Sequence, residues 1–265
     1  MKEVYRVEAL SFYYGDVCAL KDVELLVREG ECVVILGANG VGKSTLLKIL
    51  DGLLKPAAGR VMFYGKPIEE VSETTAFREE VALLFSEPDC QLFCPTVFDE
   101  VCFAPLQLGL GADGAMRRAE EVLRLLGLYH LKERAPHTLS SGEKKKVAIA
   151  SILSLNPQVL LLDEPTGGLD PRSQVWLLEL LEELKGCGKT IVMATHDLSL
   201  AGDLAHRVVV MDESHRIVAE GEAISILRDK GLLLEANLIH SHPHRHGDIV
   251  HTHGHGPFSM HDEHE

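Results

Sequence analysis

The sequence predicts an α/β fold: a mixed, mainly parallel core sheet wrapped by helices, an antiparallel β region at the N-terminus, and a helical block inserted between two core strands. Three observations predict it. Short, almost wholly apolar runs recur at Cys32 to Leu36, Val81 to Phe85, Val159 to Leu162 and Thr190 to Ala194, as expected of strands buried on both faces. Helical patterns separate these runs, which places the strands in parallel. The segment Gly37-Ala38-Asn39-Gly40-Val41-Gly42-Lys43-Ser44-Thr45 follows directly on the first run. It fits the pattern G-x-x-x-x-G-K-[ST], which needs a strand before it and a helix after it.

Along the chain, Val4 to Val27 alternates like a pair of antiparallel strands, with Tyr14-Gly15-Asp16 as the turn. After the glycine loop, Lys43 to Leu50 opens a helix, and Gly59 to Gly65 reads as a further strand. From Thr96 to about Leu155 the apolar spacing becomes helical, so residues 90–156 are expected to form a lobe of their own. Ser173 to Lys185 is a helix between the last two core strands. Residues 1–236 thus make one large domain, and 237–265 a tail.

Composition narrows the function classes. The apolar fraction of 46% and charged fraction of 25% are those of an ordinary globular domain. A net charge of −14 argues against a nucleic-acid partner, because such binding relies on clustered Lys and Arg. Lys144-Lys145-Lys146 is expected to be a solvated helix face. Six cysteines without a C-x-x-C pair fit a reducing, cytosolic setting. No stretch reaches the ~18 apolar residues of a spanning helix.

The loop's chemistry is that of a polyphosphate cradle. Glycines such as Gly37, Gly40 and Gly42 let backbone N–H groups wrap the phosphates, with Asn39 and Thr45 part of the same loop. Lys43 is expected to reach the β- and γ-phosphates, and Ser44 to hold Mg²⁺. Asp163 ends an apolar strand, where its carboxylate supports Mg²⁺. Glu164 follows and is placed to polarise a water for attack on the γ-phosphate, a reaction governed by positioning and charge. ATP and Mg²⁺ are the expected ligands.

Leu139-Ser140-Ser141-Gly142-Glu143, followed by Val159-Leu160-Leu161-Leu162-Asp163-Glu164, resembles the ATP-binding-cassette ATPases. The resemblance runs from about Val4 to Leu234. It implies a phosphate-loop cassette working as a pair of ATPase subunits beneath integral membrane and substrate-capture subunits, at the cytoplasmic face of the membrane. It also implies roles: Ser140 and Gly142 touch nucleotide held by the opposite subunit, His196 touches the γ-phosphate, Tyr14 stacks on adenine with Tyr13 as the second candidate, and Gly168-Leu169-Asp170 communicates between the paired sites. Two positions depart from the family pattern. Ser141 stands where a glycine is usual, and Ser86 where a Mg²⁺-binding glutamine is usual, with Gln91 five positions later. The run Pro88-Asp89-Cys90-Gln91-Leu92-Phe93 is similar to the ATPases of energy-coupling-factor importers.

The tail carries His242, His244, His246, His251, His253 and His255, with His261 and His264 beyond. Lacking apolar periodicity, it is expected to be unstructured. Imidazoles at alternating spacing suit Ni²⁺, Co²⁺, Cu²⁺ and Zn²⁺. Together with the branch resemblance they point to an importer ATPase for cobalt or nickel; the alternatives are another micronutrient such as a vitamin, or a cassette ATPase outside transport.

Overall fold

The computed structural model describes residues 2–239, and the backbone of 241–246 and 249–254. In chain order the first half contains β1 (Glu3–Tyr14), β2 (Val17–Arg28), β3 (Cys32–Leu36), α1 (Lys43–Leu50), β4 (Ala58–Phe63), β5 (Lys66–Pro67), α2 (Ile68–Val71), α3 (Thr75–Glu80), β6 (Val81–Leu84), α4 (Val97–Gln107) and α5 (Ala112–Leu125). The second half contains α6 (Ser141–Leu153), β7 (Val159–Asp163), α7 (Pro171–Gly186), β8 (Thr190–Thr195), α8 (Leu198–Leu204), β9 (Arg207–Met211), β10 (Ile217–Glu222), α9 (Ala223–Arg228), α10 (Lys230–Glu235), β11 (Ser241–His246) and β12 (Ile249–Gly254).

The main sheet has the order β10-β9-β3-β8-β7-β6, parallel throughout except for the antiparallel edge strand β10. Its central strands are buried on both faces: every residue of β3, β7 and β8 is inaccessible. That explains their unbroken apolar sequence. A second sheet, β2-β1-β4-β5, is antiparallel and matches the N-terminal alternation. Between the two sheets lies α1, whose Leu46, Leu47, Ile49 and Leu50 share one core with Tyr5, Leu10, Val33 and Val192. A second core, on the opposite face of the main sheet, joins Val34, Leu160 and Met193 to α6, α7 and α8. The third belongs to the helical lobe, where Val97, Val101, Ala119, Leu123 and Val147 bring α4, α5 and α6 together.

Two expectations change. Lys145 is not on a solvated face: it is 1% exposed, whereas its neighbour Lys144 meets Asp89 at 2.6 Å near the surface. Each step along a helix rotates the next residue by about 100°, so three consecutive lysines cannot share an environment. In the tail, β11 and β12 pair as an antiparallel ladder where no regular structure was expected. Thr252, Val250 and Ile249 supply strand-forming residues there. His255 lies outside the described residues.

Candidate nucleotide site at the strand ends

The parallel strands bring their C-terminal ends to one edge of the sheet. Leu36 of β3 is level with Thr195 of β8, Ala194 with Asp163 of β7, and Leu162 with Leu84 of β6. The residues that follow, Gly37, His196, Glu164 and Ser86, therefore emerge side by side. Ligand sites in open α/β sheets form at this edge.

The glycine loop bridges β3 to α1 and leaves no room for a side chain at Gly37 and Gly42. Gly42 has φ 111°, and a Cβ on it would lie 2.1 Å from the carbonyl oxygen of Ala19. On Gly37 a Cβ would lie 2.7 Å from Val41 and 2.8 Å from the Met211 carbonyl. Lys43 opens α1 and turns back, its ammonium donating to the carbonyls of Gly37 at 2.7 Å and Ala38 at 3.1 Å. Burial lowers its pKa, and the nearby Glu164 carboxylate, 3.5 Å away, opposes that shift. The next side chain, Ser44, donates to Asp163 Oδ1 at 2.9 Å. Burial raises the Asp163 pKa, against the hydrogen bond from Ser44.

Glu164 is the hub of the site. Its Oε1 is 3.0 Å from His196 Nδ1, and its Oε2 accepts from the Thr195 hydroxyl at 3.1 Å. Its backbone sits at φ 43°, a left-handed conformation that costs a residue with a Cβ about 1–3 kcal/mol. Three bonds hold it there: Glu164 N–H donates to the Ala194 carbonyl at 2.9 Å, and the Glu164 carbonyl accepts from Gly167 N–H at 3.0 Å and from Lys145 at 3.3 Å. Lys145 also donates to Ser86 O at 2.5 Å. This buried lysine, whose pKa desolvation lowers, ties α6 to the ends of β6 and β7.

A cleft of about 430 Å³ is lined by Tyr14, Asn39, Gly40, Gly42, Lys43, Ser44, Thr45, Ser86 and Glu164, so most of the expected residues come together. Tyr14 belongs to it, with its hydroxyl 3.4 Å from that of Thr45. Tyr13 does not. His215, which the sequence did not single out, also lines the cleft, and its Nδ1 is 3.2 Å from the Val41 carbonyl. No motif surrounds it; the loop joining β9 to β10 delivers it.

Ser140 and Gly142 stand apart from the cleft. Ser140 caps α6 in a reciprocal box: its hydroxyl accepts from Glu143 N–H at 3.3 Å, and the Glu143 carboxylate accepts from Ser140 N–H at 2.8 Å. Both Ser140 and Ser141 are exposed. Ser141 donates to the Gly168 carbonyl at 3.3 Å, joining the two loops. Gln91 also misses the cleft: it accepts from Phe85 N–H and donates to Leu83 O, capping the end of β6.

Among the described residues no group of His, Cys, Asp and Glu is arranged to hold a metal by itself. The Ser44 and Asp163 oxygens, 2.9 Å apart, are the hard donors that Mg²⁺ takes when phosphate oxygens and water complete its shell. With a loop whose backbone is bared at Gly37, Gly40 and Gly42 and a buried ammonium beside them, they fit a magnesium nucleotide.

Fold and site define a phosphate-loop nucleoside triphosphatase. Comparison with known proteins narrows this: the family model for ABC transporters matches residues 20–167. The chain is 43% identical to the nickel import ATP-binding protein NikO of Rhodobacter capsulatus, over 90% of this chain and 97% of that one. It is 44% identical to the cobalt import ATP-binding protein CbiO of the same organism, over 90% and 85%. The solved structure of cbiO1 from Clostridium perfringens, part of the ABC transporter complex cbiONQ, superposes with a TM-score of 0.75 at 38% identity, over 90% of this chain and 96% of that one. The chain belongs to the ABC transporter family, as its ATP-hydrolysing subunit.

Proposed function

We propose that this chain is the ATPase of an energy-coupling-factor importer whose cargo is a transition-metal ion, nickel or cobalt. The observation that carries the catalytic part is the convergence of Lys43, Thr195 and His196 on the Glu164 carboxylate. Loop N–H groups and Lys43 bind the phosphates of ATP. Ser44 and Asp163 hold Mg²⁺, with Ser86 lining the same space; the ion neutralises phosphate charge. Glu164 accepts a proton from the attacking water, and Thr195 and His196 fix its carboxylate. The adenine stacks on Tyr14, half exposed at the cleft mouth.

The exposed Ser140 loop lacks a partner within its own chain's cleft, which supports completion of each site by a second ATPase subunit. Membrane-spanning and substrate-capture subunits form the rest of the complex. Among the described residues no helix is long and apolar enough to cross a membrane. The relatives named as import ATP-binding proteins support a peripheral position at the cytoplasmic face. A groove of about 400 Å³ between α4 and β6, lined by Leu53, Phe85, Phe93, Phe103 and Gln107, offers the membrane subunit an apolar seat. There Phe93 is 66% exposed.

Cargo is supported by the names of the two Rhodobacter relatives and by the histidines of the tail, which we read as a binding segment for Ni²⁺ or Co²⁺. Uptake of radiolabelled nickel and cobalt by cells carrying the full complex tests this. ATP-dependent accumulation of either metal, lost with Lys43→Ala, is expected. Accumulation of a vitamin instead would overturn the metal reading and leave the importer ATPase in place.

A further inference from the structure

His215 takes no part in the phosphate and magnesium contacts, yet it lines the nucleotide cleft. The turn that carries it is strapped to β2: Lys21 N–H donates to the His215 carbonyl at 2.9 Å, and Arg216 meets Asp22 at 2.7 Å. His215 N–H donates to the Asp212 carbonyl at 3.0 Å, closing the turn with His215 at a left-handed φ of 61°. The ring is aimed as well, with Nδ1 3.2 Å from the Val41 carbonyl. A carbonyl oxygen only accepts, so Nδ1 carries the proton, and in the neutral ring Nε2 then presents a lone pair. Among the described residues Nε2 has no hydrogen-bond partner, and it is not sealed in the interior.

We propose that His215 recognises the sugar of the bound nucleotide, its Nε2 accepting a hydrogen bond from a ribose hydroxyl. The cleft has two ends: Lys43 and Glu164 mark the phosphate end, and Tyr14, Val17, Cys18 and Ala19 mark the end that takes the base. Through Val41 the histidine is bonded to the glycine loop, and through Lys21 to β2, so it stands where the two ends meet. With phosphates on the loop and base on Tyr14, the sugar lies at that junction. A ribose hydroxyl is a donor and matches the lone pair of Nε2; a phosphate oxygen is an acceptor and does not. No other side chain at this end competes for the role. Val17, Cys18 and Ala19 have no side-chain oxygen or nitrogen, and the Tyr14 hydroxyl is 3.4 Å from that of Thr45. The inference rests on nucleotide binding in this cleft and is independent of the cargo.

Two full-length variants separate contact from support. His215→Asn suits the left-handed backbone and keeps an amide that can donate to the Val41 carbonyl, but has no atom in the place of Nε2. His215→Gly suits the backbone and removes both contacts. Calorimetric titration with ADP, 2′,3′-dideoxy-ADP and inosine diphosphate avoids turnover. The unaltered protein should bind ADP roughly 3- to 10-fold more tightly than the dideoxy compound, the range of one neutral hydrogen bond. In both variants ADP should fall to the affinity of the dideoxy compound, whose own binding is unchanged. A sugar preference retained by His215→Asn would overturn the contact. So would equal weakening of ADP and dideoxy-ADP in His215→Gly alone, the mark of a residue that only braces the loop. Loss of the preference for ADP over inosine diphosphate, with the sugar preference intact, would set the ring against the base amine and overturn the ribose assignment. Failure of the unaltered protein to bind ADP would remove the cleft as a nucleotide site, and this contact with it.

Discussion

The ammonium of Lys145 lies 2.5 Å from the carbonyl oxygen of Ser86 and 3.3 Å from that of Glu164, so one side chain on α6 fixes the main chain after two core strands. α6 begins at the Ser140 cap. Any shift of this helix therefore reaches the backbone that aims the Glu164 carboxylate. Lys145→Met keeps the length and removes the donor, taking from Ser86 O its lysine partner and leaving Glu164 O with only the Gly167 N–H at 3.0 Å. Hydrogen bonds to a charged group contribute about 1.5–3 kcal/mol, which as lost transition-state stabilisation is a roughly 10- to 100-fold fall in kcat. Steady-state hydrolysis alongside equilibrium ATP binding tests the assignment. The expected pattern is lower kcat, affinity within about threefold, and partial recovery in Lys145→Arg. A fall in affinity and thermal stability with kcat unchanged would mark a purely structural lysine.

Glu164→Gln keeps the hydrogen bond from Thr195 but removes the proton acceptor. Turnover should fall at least ~10²-fold, the usual loss for a positioned acid–base group. ATP should still bind, because Lys43 and the loop are untouched. Gel filtration with Mg-ATP should then show a persistent dimer. Normal turnover would remove Glu164 from the mechanism.

Much of this site was legible because its residues sit in local patterns with their own physics. A glycine run between a buried strand and a helix, and an Asp-Glu pair closing another buried strand, specify both chemistry and position. Residues assembled by tertiary packing were not legible. Lys145 looked like one of three equivalent lysines until the rotation of α6 buried it. His215 reaches the cleft only because β9 lies beside β3. The strands β9 and β10 carried no motif, although Arg207-Val208-Val209-Val210-Met211 is as apolar as the strands that were recognised. The Lys43 ion pair with Glu164 spans 121 positions and depends on the order of strands in the sheet.

The glycine loop gives a sharp steric test. A Cβ at residue 42 would lie 2.1 Å from the Ala19 carbonyl and 2.9 Å from Leu20, at a φ that residues with a Cβ rarely adopt. The nearest obstacle is backbone, which cannot swing aside as the Leu20 side-chain end can. Gly42→Ala should therefore displace the loop and weaken ATP binding by more than ~10-fold, the equivalent of about 1.4 kcal/mol. Gly40→Ala meets nothing within 4 Å, so its cost is limited to the strained φ of 87°. Fluorescent-nucleotide titration of both variants should rank Gly42→Ala well below Gly40→Ala; equal affinities would contradict the packing of this loop.

Asp51, at the end of α1, links the site helix to the stability of the domain. Its carboxyl is 5% exposed, and burial raises its pKa to about 6 despite the Arg78 guanidinium 3.1 Å away. The folded protein thus holds this proton more tightly than the unfolded chain, where an aspartate titrates near 3.9. Stability from this group is fully present below that unfolded value and is lost as pH rises through about 6. Asp51→Asn keeps an acceptor for Arg78 and cannot ionise, so it removes the loss. Urea unfolding at pH 4.5 and 7.5 should show the variant gaining on the unaltered protein by on the order of 2 kcal/mol at the higher pH. A difference between the two proteins that does not change with pH would show that Asp51 ionises in the folded state as it does in the unfolded chain.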